Sequence, residues 1–183
     1  IIGLGNPGQE YKLTRHNIAW DCLDRYPRVR DAIWKSKFKG LFTSFDHQSK
    51  KFYVLKPQTY MNLSGESVQS MMKFFKVPLE NIIVLHDDID LDFGLIVFKK
   101  GGGLAGHNGL KSISSLCGGP NFMRLRLGVG RPRYGSVSNW VLSKFSGDDL
   151  ITLDKFFDLV SSALDEFTSK GFEKASNKYS RKR

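Results

Sequence analysis

Cysteine is scarce in this chain. Cys22 and Cys117 are the only two among 183 residues, far apart and with no CxxC spacing. That excludes a disulfide framework and a zinc site built on cysteine pairs. Both lie among apolar residues and are expected to be small buried side chains. Long apolar runs are missing too. None approaches the roughly 18 residues of a membrane span, and no signal-peptide pattern opens the chain. A reducing, cytoplasmic setting without a membrane partner is the expectation. Acidic residues are outnumbered, 18 Asp and Glu against 28 Lys and Arg, for a formal charge of +10. Such a surplus favours an anionic partner, most simply nucleic acid, without fixing a fold. Part of it is local, since Lys170 to Arg183 hold six Lys or Arg against one Glu. This stretch, 170–183, reads as a basic C-terminal tail, either solvated or in contact with RNA.

What is present suits one domain. No repeat, low-complexity tract or linker divides the chain, and its length is enough for a proper core. Apolar runs alternate with breakers as in a mixed α/β domain. Strands are expected at Leu41–Phe45, Phe52–Leu55, Ile82–His86, Leu95–Phe98 and Leu125–Val129. A helix is expected over Ser64–Val77, where Val68, Met71, Met72 and Phe75 recur at helical spacing before Pro78. A second should run from near Asn108 to near Gly118. The last, from about Asp148 to Lys170, carries Leu153, Phe156, Phe157, Val160, Leu164 and Phe167 on one stripe, with Gly171 as its cap. Arg131–Asn139, rich in Gly, Pro and Ser, reads as a mobile loop. Only two residues precede the first glycine, so a few further N-terminal residues are expected.

Several patterns imitate known sites and fail on spacing. Gly3, Gly5 and Gly8 form GxGxxG, but Pro7 removes a donor N–H and no apolar helix face follows. A strand end turning into a polar loop fits better than a dinucleotide site. GGGLAGHNG, from Gly101 to Gly109, lacks the GK[ST] ending of a phosphate loop and reads as a glycine hinge before a helix. DDIDLDFG resembles a calcium loop, yet its glycine comes one place late and the twelfth position is Lys99. Surface carboxylates in a turn are the simpler account, and no metal is expected. Ser64 in NLSGE lacks the first glycine of a nucleophile elbow and is expected to cap a helix.

Polar clusters stand at element ends, where α/β proteins assemble sites: Asn6, His16–Asn17, Met61–Asn62, Asp87 and His107–Asn108. His16 is a candidate general base, since imidazole titrates near neutrality. Asp87 emerges from the apolar strand IIVLH, where packing needs no carboxylate. On the imidazole Nδ1 it would fix the tautomer and raise basicity. Arg124-Leu125-Arg126-Leu127 alternates, placing both arginines on one strand face. That face suits a phosphate or, equally, solvent.

GLGNPGQEYKLTRHN, KPQTYMNLSGES, VLHDDIDLDFG, GGGLAGHNGLKSI and RLRLGVGRP, in this order, resemble the bacterial-type peptidyl-tRNA hydrolases across essentially the whole chain. The resemblance implies a single α/β domain over 1–183, a mixed twisted β-sheet surrounded by helices. It implies hydrolysis of the ester joining a peptide to the 3′-terminal ribose of tRNA, by a monomer needing no metal or cofactor. It makes His16 the base that activates water and Asp87 its orienting carboxylate. Asn6, Asn62 and Asn108 match the asparagines lining the site, Tyr60 and Met61 the wall beneath the scissile bond, and His107 a histidine of the glycine-rich gate. Lys99 and Arg126 match a basic pair that clamps the tRNA 5′-phosphate. Ala19 stands where glycine is common after HN, a packing matter that leaves His16 unaffected. An RNA-binding relative without turnover is the alternative, and a nucleotide-dependent oxidoreductase a third. A pure binder has no need of a base, its orienter and three asparagines together.

Overall fold

A strand in which nearly every residue is apolar must be covered on both faces, and IIVLH is such a run. In the computed structural model, which describes residues 1–180, it lies inside a mixed sheet with helices on each side. Among the described residues the strands are β1 (Ile2–Gly3), β2 (Lys35–Lys37), β3 (Gly40–His47), β4 (Lys50–Pro57), β5 (Ile83–Asp88), β6 (Ile96–Lys100) and β7 (Met123–Gly128). Their spatial order is β2-β3-β4-β1-β5-β7-β6. β1 is parallel to β4 and β5, and β5 to β7, while β2–β3–β4 and β6–β7 pair antiparallel. The helices are α1 (Ile18–Arg25), α2 (Ser64–Phe75), α3 (Asn108–Cys117), α4 (Val137–Val141), α5 (Asp148–Lys170) and α6 (Phe172–Tyr179).

Alternation along the strands divides the core in two. Ile83, Leu85, Leu125 and Leu127 face α1 and α5, meeting Ile18, Leu23, Val160 and Leu164. Ile2, Leu55 and Val84 face α2 and α3, meeting Val68, Met71, Leu110 and Ile113. Each fully buried aliphatic side chain contributes about 1.5–3 kcal/mol by leaving water. α2 and α3 approach closely because Gly65 has no side chain, and a Cβ there would stand 2.2 Å from the Ser112 carbonyl oxygen. The carboxyl ends of the parallel strands β1, β4 and β5 open on one edge, the usual place for a site in an α/β sheet.

The expected strands and the three long helices are present, with ends shifted by a few residues. The last helix runs from Asp148 to Lys170, as expected, and Gly171 follows at φ 87°. Other expectations need correction. The stretch 131–139 is not all loop, because Ser136 accepts a hydrogen bond from Asn139 N and starts α4. Within the basic 170–183 segment, 172–179 form α6, anchored by buried Ala175 and by Ser180 Oγ accepting from Phe98 N. Residues 181–183 lie outside the described residues. Ser64 does not cap α2 by accepting; its hydroxyl donates to the Met61 carbonyl at 2.8 Å. Cys22 is buried, whereas Cys117 is only half-buried. The GxGxxG segment opens no long helix and passes into a short 3-10 turn at Gln9–Tyr11.

Candidate functional site

His16 sits in a tight polar turn. Leu13 takes a left-handed backbone at φ 61°, the Thr14 hydroxyl donates to Tyr11 O, and Arg15–Asn17 form one 3-10 turn leading into α1. Beside it, Asn17 and Asn6 bond to each other twice. Asn6 N donates to Asn17 Oδ1 at 2.8 Å, and Asn17 Nδ2 donates to Asn6 O at 2.9 Å. Asn6 is therefore buried, although it sits in a polar loop. Its Oδ1 accepts from Met61 N at 2.7 Å, which leaves its amide N–H groups as the donors available to a ligand. Gly109, at the start of α3, lets that helix reach Met61; a Cβ there would lie 2.6 Å from the Met61 sulfur.

Asp87, at the end of β5, receives two imidazoles. His16 Nδ1 lies 2.8–2.9 Å from both its carboxylate oxygens, and His107 Nε2 lies 2.8 Å from Oδ1. The tautomer of His107 follows from its other nitrogen. As the cap of α3, Nδ1 accepts from Gly109 N and Leu110 N, so Nε2 carries the hydrogen and donates to Asp87. Burial alone would push the Asp87 carboxyl up, but the two histidines outweigh it and hold its pKa far below the usual range. Burial likewise disfavours the His16 imidazolium, and the Asp87 charge and hydrogen bond outweigh that penalty. The His16 pKa accordingly stands above the ordinary 6.5. In neutral His16 the Nδ1 hydrogen is committed to Asp87, and Nε2 keeps its lone pair.

His16, Asp87 and His107 each offer a ligand atom, all within 4.8 Å of one another. The donor set fits a metal poorly. His107 Nδ1 is already used by two backbone N–H groups, so its Nε2 is protonated and has no lone pair to give.

Asn6, His16, Tyr60, Met61, Asn62, Asp87, His107 and Asn108 all line one cavity of about 420 Å³. Asn62, Asn108 and Tyr60 are exposed at its mouth, while Met61 is buried. Lys99 and Arg126 are not part of its lining. They share a sheet face, with Lys99 opposite Arg124 and Arg126 opposite Val97. The face is not a uniformly solvated basic strand: Arg124 is buried, while Lys99 and Arg126 are half-buried. Arg124 donates to the carbonyls of Gly101 and Gly103, bracing the glycine loop. Arg126 Nε donates to Asp88 at 2.7 Å. Asp88 is thus a buried ion-pair partner, not a surface carboxylate. Lys99 has no ion pair among the described residues.

The sequence did not point to His86 or to α4. His86 lines the cavity next to Asp87, and burial holds its pKa down to about 3, so it is neutral. Its Nδ1 donates to Asp87 O, and its Nε2 is buried without a partner among the described residues. The only signal for it was its place beside Asp87. Val137, Ser138 and Val141 of α4, with Leu142, line the same cavity as the asparagines.

Known proteins resemble this chain in sequence and in fold. A family model described as peptidyl-tRNA hydrolase matches residues 1–183. A peptidyl-tRNA hydrolase of Geotalea daltonii is 42% identical over 183 residues, covering 100% of this chain and 96% of the relative. One from Bdellovibrio bacteriovorus is 44% identical over 182 residues, 98% of this chain and 97% of its own. The crystal structure of peptidyl-tRNA hydrolase from Acinetobacter baumannii matches with a TM-score of 0.89 at 35% identity, covering 98% of this chain and 94% of that one.

Proposed function

The chain belongs to the peptidyl-tRNA hydrolase family, and we propose that it hydrolyses the ester between a peptide and the 3′-terminal ribose of tRNA with a His16-activated water and no metal. The observation that carries this reading is the buried Asp87 carboxylate accepting from His16 Nδ1 inside a cavity edged by three asparagines. Nε2 of His16 takes a proton from water as the oxygen attacks the ester carbonyl carbon. The bond from that carbon to the ribose oxygen then breaks, and the imidazolium returns its proton to the leaving oxygen. Free peptide and reusable tRNA result. An ester is activated enough that one base and a few neutral donors suffice. The +10 charge suits a polyanionic substrate. In this reading the protein acts as a monomer in the cytoplasm, where translation supplies the substrate. The test is release of free tRNA from diacetyl-lysyl-tRNA by the purified protein; retention of the ester with tRNA bound would favour the RNA-binding alternative.

The asparagines divide the work. Asn108, exposed at the start of α3, serves as a donor to the developing oxyanion, and Asn108→Ala lowers kcat by about 10²–10³-fold. Asn6, with its oxygen committed to Met61 N, offers its N–H groups to the bound peptide. Asn6→Ala is expected to raise KM more than it lowers kcat. Matching kinetic profiles for the two variants would refute this division.

Lys99 and Arg126 form the proposed clamp on the tRNA 5′-phosphate. With Arg126 paired to Asp88, Lys99 supplies the net positive charge. Binding weakens with salt by a log–log slope of about 0.7–0.9 per phosphate neutralised. Lys99→Ala with Arg126→Ala is expected to flatten that slope and weaken full-length tRNA substrates. Cleavage of a minimal substrate carrying only the 3′ end and its peptide stays near normal. Equal losses on both substrates, with the variant folded by circular dichroism, would remove these residues from the clamp.

A further inference from the structure

Arg15, the residue before His16, is used by no step above, yet it is one of the most heavily engaged side chains in the molecule. It is 2% exposed. Its Nη1 donates to Ser143 Oγ at 2.8 Å and to Lys144 O at 2.6 Å, and its Nη2 pairs with Asp149 at 3.1 Å. Its guanidinium lies 3.7 Å from the centre of the Trp140 ring, which belongs to α4. The backbone joins in, with Arg15 N donating to Ser143 O and Thr14 bridging Lys144. All these partners lie in the segment 140–149 that carries α4 into α5. Val137, Ser138 and Val141 of α4 line the cavity that also holds Asn6, His16 and Asn62. His16 is thus held between two adjacent anchors, Asn17 on Asn6 and Arg15 on the α4 segment.

We infer that Arg15 is a positioning residue that fixes the α4 wall against the base, so that the peptide end of the substrate is held over His16. This rests on the hydrolase reading above. A flat guanidinium is suited to the role, because one group can stack on an indole and fan hydrogen bonds to a hydroxyl, a carbonyl and a carboxylate. A lysine keeps the charge but cannot meet all of these at once.

The test compares Arg15→Lys and Trp140→Leu with wild type on diacetyl-lysyl-tRNA, after a thermal melt establishes the folded fraction. The KM of Arg15→Lys is expected to rise at least about tenfold, the scale of one lost charge-assisted hydrogen bond, and that of Trp140→Leu by roughly three- to tenfold, the scale of a lost cation–π contact. The pH midpoint of kcat stays in place, because the His16–Asp87 contact is untouched. The stack of Arg15 on Trp140 is the contact both changes break, so the double variant is expected to be little worse than Arg15→Lys, the broader of the two. A purely structural role would lower the melting temperature and leave KM per folded molecule unchanged, and that result overturns the inference. Full additivity of the two changes overturns it as well. If Arg15→Lys fails to fold, Trp140→Leu alone decides by its own KM criterion. An inactive wild type would overturn the hydrolase reading and this role together, whereas an active wild type with unchanged variants overturns the role alone.

Discussion

His16→Ala is expected to lower kcat by about 10²–10⁴-fold while tRNA binding stays near wild type. The binding half of this expectation comes from geometry. His16 touches Asp87 and faces the cavity, whereas Lys99 and Arg126 stand outside its lining. Removing the imidazole leaves Asp87 with its His107 contact, so the carboxylate is not orphaned and the fold is expected to persist. Single-turnover rates and a filter-binding Kd for the same variant separate the two effects. A variant that keeps most of its rate would show that another group activates the water. One that loses tRNA affinity in proportion to rate would show His16 to be a binding residue.

Asp87→Asn is expected to cost a similar factor, roughly 10²–10⁴-fold in kcat, because it disturbs the orientation of the base and its basicity together. It also makes a second prediction with a definite sign. In the wild type the Asp87 charge and hydrogen bond hold the His16 pKa above 6.5 against the effect of burial. With the charge gone, burial prevails and the His16 pKa falls. The residual activity of Asp87→Asn therefore reaches its plateau at lower pH than the wild type. A midpoint that stays put would mean that Asp87 does not face the titrating group, and a midpoint that rises would reverse the electrostatic argument altogether.

Much of the site was legible because its residues sit where packing does not need them. Asp87 follows four apolar residues and a histidine, and an imidazole with two amides stands in a short polar loop. Contacts across long sequence distances were not legible. Arg15 finds Asp149 134 residues away, and Arg126 finds Asp88 38 residues away. Alternation could show that Arg124 and Arg126 share a face, but not that the glycine loop and Asp88 already occupy it. Helix α1 was missed despite its buried Ile18, Ala19, Cys22 and Leu23; the other missed elements are short or polar. β2 is Lys-Ser-Lys, fully exposed, and exists through pairing with β3. α4 spans five residues after a stretch rich in Gly and Pro, and α6 buries a single alanine beneath a basic exterior. Neither offers enough apolar periodicity to stand out.

The most direct measurement is the single-turnover rate of the wild type on diacetyl-lysyl-tRNA from about pH 5 to 8, the range in which a histidine charge changes, with a metal chelator present throughout. The account predicts a rate that climbs with pH along a single limb whose midpoint lies above 6.5, as His16 sheds its proton, and that is indifferent to the chelator. A flat profile over that range, or a rate abolished by the chelator and restored by a divalent metal, would contradict it.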